Sequence, residues 1–320
     1  MIPRIAMLAT LVVLSAVGCG KSGTTTTNSW PDKPGPKVLA TFAPISCFVA
    51  NVAGDRGTVR GIMSTQGPHE FVDTRSDAAN VAGADLFFIN GLELDNRIAE
   101  KMKAASGNKS LSIVDLGSKF DELRLLEGEC HHEHADGHKH EHGLDSHIWL
   151  GPDMAISLVE YIRDEYKRAD PTQAADYDRR AGEYIAKLKQ LLADGKKQLG
   201  GKKLKILTMH ESMGYFARAF ELEVVGSIQT TPGQEPSRKK LDEVIKICVE
   251  KQVTVLAVEP QYTTSNAVQV IQRELKAKGL TGIQVVELDP LETSPDAVPP
   301  LDFYERKMRE NLNALAATVK

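Results

Sequence analysis

Along most of the chain, short apolar runs alternate with stretches of helical period. Residues 37–42, 58–63, 85–90 and 111–116 read as strands, with helical patterns at 45–52, 76–83 and 94–105 between them. A second series follows: strands at 204–209, 222–226, 253–258 and 282–288, helices at 212–220, 237–250, 266–276 and 302–319. Strands interleaved with helices are βα repeats of a parallel sheet. The expected fold is α/β, two similar lobes with parallel sheets.

Between the two series, Tyr177, Ala181, Tyr184, Ile185, Leu188, Leu191 and Leu192 fall at helical spacing within 171–197. Asp170 before Pro171 fits an N-cap followed by proline at the first helical position. An unbroken helix there would be a rod of about 40 Å, long enough to traverse both lobes as one long rigid linking helix that permits limited hinge motion.

The start of the chain does not fit this pattern. Arg4 precedes an apolar run over 5–17 that is too short to span a bilayer, which reads as a signal peptide over 1–18. The run ends in Ala16-Val17-Gly18-Cys19, which resembles a bacterial lipobox and marks Cys19 for lipidation. Residues 19–36, with Thr24 to Thr27 and then Pro31, Pro34, Gly35 and Pro36, have almost nothing to bury and read as a disordered tether. The remaining expected boundaries are 37–169 for the first lobe, 170–200 for the linking helix and 201–320 for the second lobe. The protein is expected to be exported and lipid-anchored on the periplasmic or cell-surface side, not membrane-spanning.

Composition adds little against this and excludes some classes. The 320 residues suffice for about two domains. With 39 Lys+Arg against 43 Asp+Glu, there is no electrostatic footprint for nucleic acid.

Histidine carries the chemistry. Of the nine, six stand at His131, His132, His134, His138, His140 and His142, beside Cys130 and several carboxylates, in a histidine-rich loop over 130–143. Neutral imidazole is a borderline ligand for Zn²⁺, Cu²⁺ and Ni²⁺, so this composition suits metal chelation. The other three are His69, His147 and His210. Each follows a predicted strand of a parallel sheet, where such sheets present their ligand-binding groups. Asp289 has the same placement after the last strand. Three imidazoles and one carboxylate suit a tetrahedral Zn²⁺ site.

Several motifs then resemble a known family. Gly67-Pro68-His69-Glu70, Ser76-Asp77-Ala78, the run Ala84 to Leu92, Asp145-Ser146-His147-Ile148-Trp149-Leu150-Gly151-Pro152, the run Met209 to Phe216, Val258-Glu259-Pro260-Gln261-Tyr262 and Leu288-Asp289-Pro290-Leu291 are similar, in order and spacing, to the metal-binding lipoproteins of bacterial ABC importers. The likeness is to the zinc and manganese solute-binding group, from about Lys37 to the C-terminus. It implies two lobes joined by a long helix, metal held between them by His69, His147, His210 and Asp289, and transfer to an ABC-type permease. Manganese members tend to carry a carboxylate where this chain has His210, so the resemblance points to zinc, with Mn²⁺ or another divalent ion as the alternative. Ser146, Gly151 and Arg75 depart from the family's usual Pro, Asp and Pro.

Glu70, Glu211 and Glu259 adjoin these positions and are candidates to accept a hydrogen bond from a ligating imidazole. A second class, an exported metalloenzyme on a similar fold, would need an open water position; the chain lacks His-Glu-x-x-His, Gly-x-Ser-x-Gly and a glycine-rich phosphate loop. The expectation is a monomeric receptor, not an enzyme. Cys47 and Cys248 fall in predicted helices and read as buried free thiols, and Cys130 as a soft addition to the histidine run.

Overall fold

The computed structural model describes residues 30–72, 75–128 and 143–319. The signal peptide, Cys19, most of the tether, Cys130 and all six histidines of 131–142 lie outside them.

The first sheet contains β1 (Lys37–Ala40), β2 (Thr58–Gly61), β3 (Leu86–Ile89) and β4 (Ser112–Asp115), all parallel in the order β2-β1-β3-β4. The central β3 is buried along its whole length, as expected for a continuous apolar run covered on both faces. The connecting helices are α1 (Ala43–Ala53), α2 (Arg75–Ala82) and α3 (Asn96–Ser106). The second sheet repeats the arrangement: β5 (Lys205–Thr208), β6 (Glu223–Ser227), β7 (Val255–Val258) and β8 (Gln284–Glu287), parallel in the order β6-β5-β7-β8. Its helices are α6 (Gly214–Phe220), α7 (Arg238–Lys251) and α8 (Asn266–Ala277), and α9 (Phe303–Ala316) ends the fold; α4 (Pro152–Ala169) and α5 (Ala174–Leu199) lie between the two sheets in chain order.

The expected long linking helix is present as a single element over Ala174–Leu199, and a second helix runs beside it. α4 (Pro152–Ala169) packs along α5 (Ala174–Leu199), and the short 3₁₀ turn Pro171–Gln173 joins them as a hairpin. Asp170 does not cap α5; its carboxylate instead accepts from the Thr172 hydroxyl at 2.6 Å and the Tyr177 hydroxyl at 3.2 Å. The 26 residues of α5 bury Tyr177, Ala181, Tyr184, Ile185, Leu188 and Leu191 on one stripe. That stripe meets α1 of the first lobe and α6 and α9 of the second. Gly195 makes the last contact possible, since a Cβ there would lie 2.3 Å from the Phe220 ring and 3.0 Å from Leu312.

The chain also crosses between lobes beyond the linker, which a single connector does not provide for. Residues 288–302 have no regular structure and run back over the first lobe: Ser294 N–H donates to Ser64 O at 2.9 Å, the Trp149 indole to Pro290 O at 2.8 Å and the Asn51 amide to Leu301 O at 2.9 Å. α9 then docks with the Tyr304 ring 4.9 Å from Phe48, its hydroxyl donating to Trp149 O. One apolar core therefore runs from β1 and β3 through α4, α5 and α9 to the inner face of the second sheet. A separate cluster under α7 and α8 fills the outer face.

Part of the expected tether is docked. Trp30 lies beneath the Arg60 guanidinium, 4.4 Å from its ring centre, and donates to Asn80 O at 3.0 Å. Cys47 and Cys248 are both buried and unpaired with each other. Burial pushes the thiols up to about 12 and about 11 respectively, so neither is reactive.

Candidate metal centre

The two sheets turn the carboxyl ends of their strands toward a common cleft, and the loops leaving those ends bring four side chains together. His69 comes from the loop after β2. His147 precedes the 3₁₀ turn Ile148–Leu150, and His210 leaves the end of β5. The fourth is Glu292, beyond β8. One ligand-capable atom from each lies within 4.8 Å of all the others. His147 Nε2 is 3.3 Å from both His69 Nε2 and His210 Nε2. Glu292 Oε1 is 3.3 Å from His210 Nε2, 3.5 Å from His69 Nε2 and 3.7 Å from His147 Nε2. For nitrogen and oxygen ligands at 2.0–2.1 Å from a tetrahedral ion, neighbouring donors stand about 3.3–3.4 Å apart. Three of the observed edges have that size, two more are 3.5 and 3.7 Å, and all six fall within 4.8 Å.

Carboxylates hold two of the imidazoles from behind. Asp145 Oδ1 accepts from both the backbone N–H of His147 at 2.9 Å and its Nδ1 at 2.8 Å. Glu259, at the end of β7, accepts from His210 Nδ1 at 2.5 Å, and Gln261 fixes its other oxygen at 2.7 Å. With Nδ1 the donor in each ring, the neutral tautomer leaves the Nε2 lone pair pointing into the cluster. Two lone pairs, the Nε2 of His69 and a carboxylate oxygen then converge on one point, an arrangement that suits a cation. Glu292 Oε1 is buried and faces the Nε2 atoms of all three imidazoles.

The electrostatics agree. Burial alone pushes the His210 pKa down, but hydrogen bonds to Glu259 and Glu292 outweigh it and carry it up to about 10. His147 is likewise depressed by burial and raised on balance by Asp145 and Glu292. Burial pushes Glu292 up, and the surrounding imidazoles hold it well below the ordinary carboxylate range. Without an ion, the cluster stays together by taking protons.

Asp289 does not occupy the expected fourth position. Its carboxylate pairs with Lys307 at 2.9 Å and accepts from Leu291 N–H at 2.8 Å. The Asn311 side chain pairs with both its backbone N–H and its backbone O, at 2.9 and 2.8 Å. This clamps a turn in which Leu291 adopts a left-handed φ of 63°, and the turn delivers Glu292 instead. Gly67 leaves room for it, since a Cβ there would sit 3.0 Å from Glu292 Oε2. The strand-end rule placed the ligand at the first acidic residue after β8. The available signal was the second one, three positions on.

Of the three flanking glutamates, Glu259 holds His210 as described. Glu70 lies on the exposed rim beside Gly233, and Glu211 lines a second opening with Thr230 and Pro232. Asp145, two residues before His147, was missed, although its spacing in the Asp-Ser-His motif was visible. The cleft beside the cluster has a volume of about 710 Å³ and is lined by Glu70, Tyr262, Glu287 and Thr293 among others. On the other side, Glu127 and Leu144 form an antiparallel bridge that brings the two ends of the histidine-rich segment to the site's edge.

Residues 38–318 match the sequence model of the family described as zinc-uptake complex component A, periplasmic. The chain belongs to that family. Among its relatives, the high-affinity zinc uptake system protein ZnuA of Bacillus subtilis is 31% identical over 272 residues, which cover 83% of each chain. The zinc-binding protein AdcA of Streptococcus pyogenes serotype M3 is 29% identical over 299 residues, 88% of this chain. The chain spans 56% of that relative's length. The SBP FpvC of Pseudomonas aeruginosa, solved in complex with Mn²⁺, superposes with a TM-score of 0.74 at 25% identity, over 89% of this chain and 98% of that one. The two-lobed fold is therefore that of the family's metal-binding receptors. Among the described residues no helix is long and apolar enough to cross a membrane.

Proposed function

We propose that the chain captures Zn²⁺ outside the cytoplasm between its two lobes, through Nε2 of His69, His147 and His210 and Oε1 of Glu292, and delivers it to an ABC-type metal permease. The observation that carries this reading is the convergence of four donor atoms at tetrahedral spacing, with Asp145 and Glu259 orienting two of the rings. Three nitrogens and one oxygen suit Zn²⁺; an oxygen-rich shell of higher coordination suits Mn²⁺. Four protein donors close the shell and leave no position for a reactive water, which favours cargo binding over catalysis. The zinc-binding and zinc-uptake relatives point the same way.

Around this site, Cys19 serves as the lipid anchor and the residues between it and Trp30 as the leash of a monomeric receptor. The histidines of 131–142 gather zinc near the mouth of the cleft and raise its local concentration. Competition among Zn²⁺, Mn²⁺ and Cu²⁺ for the metal-stripped chain tests the reading. One tight zinc site is expected, retained when 131–142 is deleted and lost in His147→Ala. Tight binding that survives His147→Ala but disappears with the deletion refutes it.

A further inference from the structure

We infer that the Tyr215 hydroxyl is a positioning group that bolts the two lobes together behind the metal cluster and sets how slowly the ion leaves. The inference rests on the zinc reading above. Tyr215 lies on α6, five residues after His210, and its ring is wholly buried. Its hydroxyl donates to Asp145 O at 2.9 Å and accepts from Leu126 N–H at 3.0 Å. Both partners belong to the first lobe. Asp145 is the residue whose carboxylate holds His147, so a hydroxyl carried by the helix behind one candidate ligand grips the backbone of the residue that orients another.

The contact reaches further than one residue. Leu126 O accepts from Asp145 N–H at 2.8 Å, so Tyr215 touches both strands at the base of the histidine-rich segment. Arg218, one turn along α6, donates to Arg124 O at 2.6 Å in the same first-lobe stretch. Burial pushes the Tyr215 hydroxyl up to about 12, so it keeps its proton and remains a donor to the Asp145 carbonyl at every physiological pH.

For the lobes to part, this hydroxyl must give up two backbone hydrogen bonds, one buried at Asp145 O and one half-buried at Leu126 N–H, and breaking them carries a cost. The bolt therefore opposes opening while contributing no donor to the ion. It belongs to neither the ligands nor the carboxylates behind them.

The test is Tyr215→Phe, which removes one oxygen and leaves the ring, with the full chain loaded with one equivalent of zinc and chased with excess chelator. Release from the tight site is expected to be on the order of tenfold faster than in the unaltered chain. Tyr166→Phe is the control. Tyr166 is an equally buried tyrosine on α4 whose hydroxyl has no hydrogen-bond partner, and its loss should leave the release rate unchanged. A purely structural role for Tyr215 would lower the melting temperature of the metal-free chain and leave zinc release alone. Release from Tyr215→Phe within about twofold of the unaltered chain, or equal acceleration in both variants, overturns the bolt. An unaltered chain that holds no zinc at this site overturns the zinc reading itself and the bolt with it; the two failures are told apart by the unaltered chain alone.

Discussion

Zinc affinity should keep rising with pH well above the range in which histidine ordinarily titrates. With an unperturbed imidazole pKa near 6.5, affinity would level off above about pH 7.5. In this cluster His210 is held protonated up to about 10 by Glu259 and Glu292. Zinc must displace that proton, so the apparent affinity should change by about one decade per pH unit for each proton released. Between pH 7 and the His210 value there are about three units, so affinity at pH 7 should be roughly 10³-fold below that of the fully deprotonated site. The metal-free chain should respond in the opposite sense. A group whose folded pKa is raised stabilises the fold below its unfolded value, and that stability is lost as pH rises through the folded value. The melting temperature of the metal-free chain should therefore fall between about pH 6.5 and 10 while zinc affinity climbs. Calorimetric titration in buffers of different ionisation enthalpy counts the protons released, and chelator competition at stepped pH measures the affinity. No proton release at pH 7.5, with affinity flat from there to pH 9, would refute the reasoning.

Glu292→Gln should weaken zinc binding by more than about 100-fold, beyond what removing an outer partner costs, while Asp289→Asn should change it far less; chelator competition on both variants separates the two carboxylates. Asp145→Asn and Glu259→Gln, which leave all four donors in place, should each cost about 10–100-fold in affinity, and an unchanged affinity in either would show that the ring behind it needs no such support. Gly195→Val should destabilise the metal-free chain by about 1–3 kcal/mol or more in denaturant unfolding, because the new side chain meets Phe220 and Leu312.

All eight strands were legible as short apolar runs, most plainly β3 and β7, which are buried along their whole length; the structure trims the ends of seven and shifts β6 by one residue, to Glu223–Ser227. The α4–α5 hairpin was not, since the apolar stripe of α5 says nothing of the helix before it and Asp170-Pro171 reads equally well as a helix start or as the turn it forms. His69, His147 and His210 could be picked out because no other isolated histidines compete with them. Glu292 could not be separated from Asp289 by a rule counting from strand ends, because the choice is made by Lys307 and Asn311 on a helix that follows. Trp30 was assigned to the tether because its partners, Arg60 and Asn80, come from distant parts of the chain.

The return of residues 288–302 across the first lobe has a consequence for how the polypeptide can be divided. A break at the linker would produce a leading fragment lacking α9, with Phe48 and Tyr184 bared where Tyr304 and Glu305 now cover them. Neither fragment would be self-sufficient, and the two would have to complement one another in trans. During synthesis the leading half must therefore wait for the final helix to emerge before its core can close.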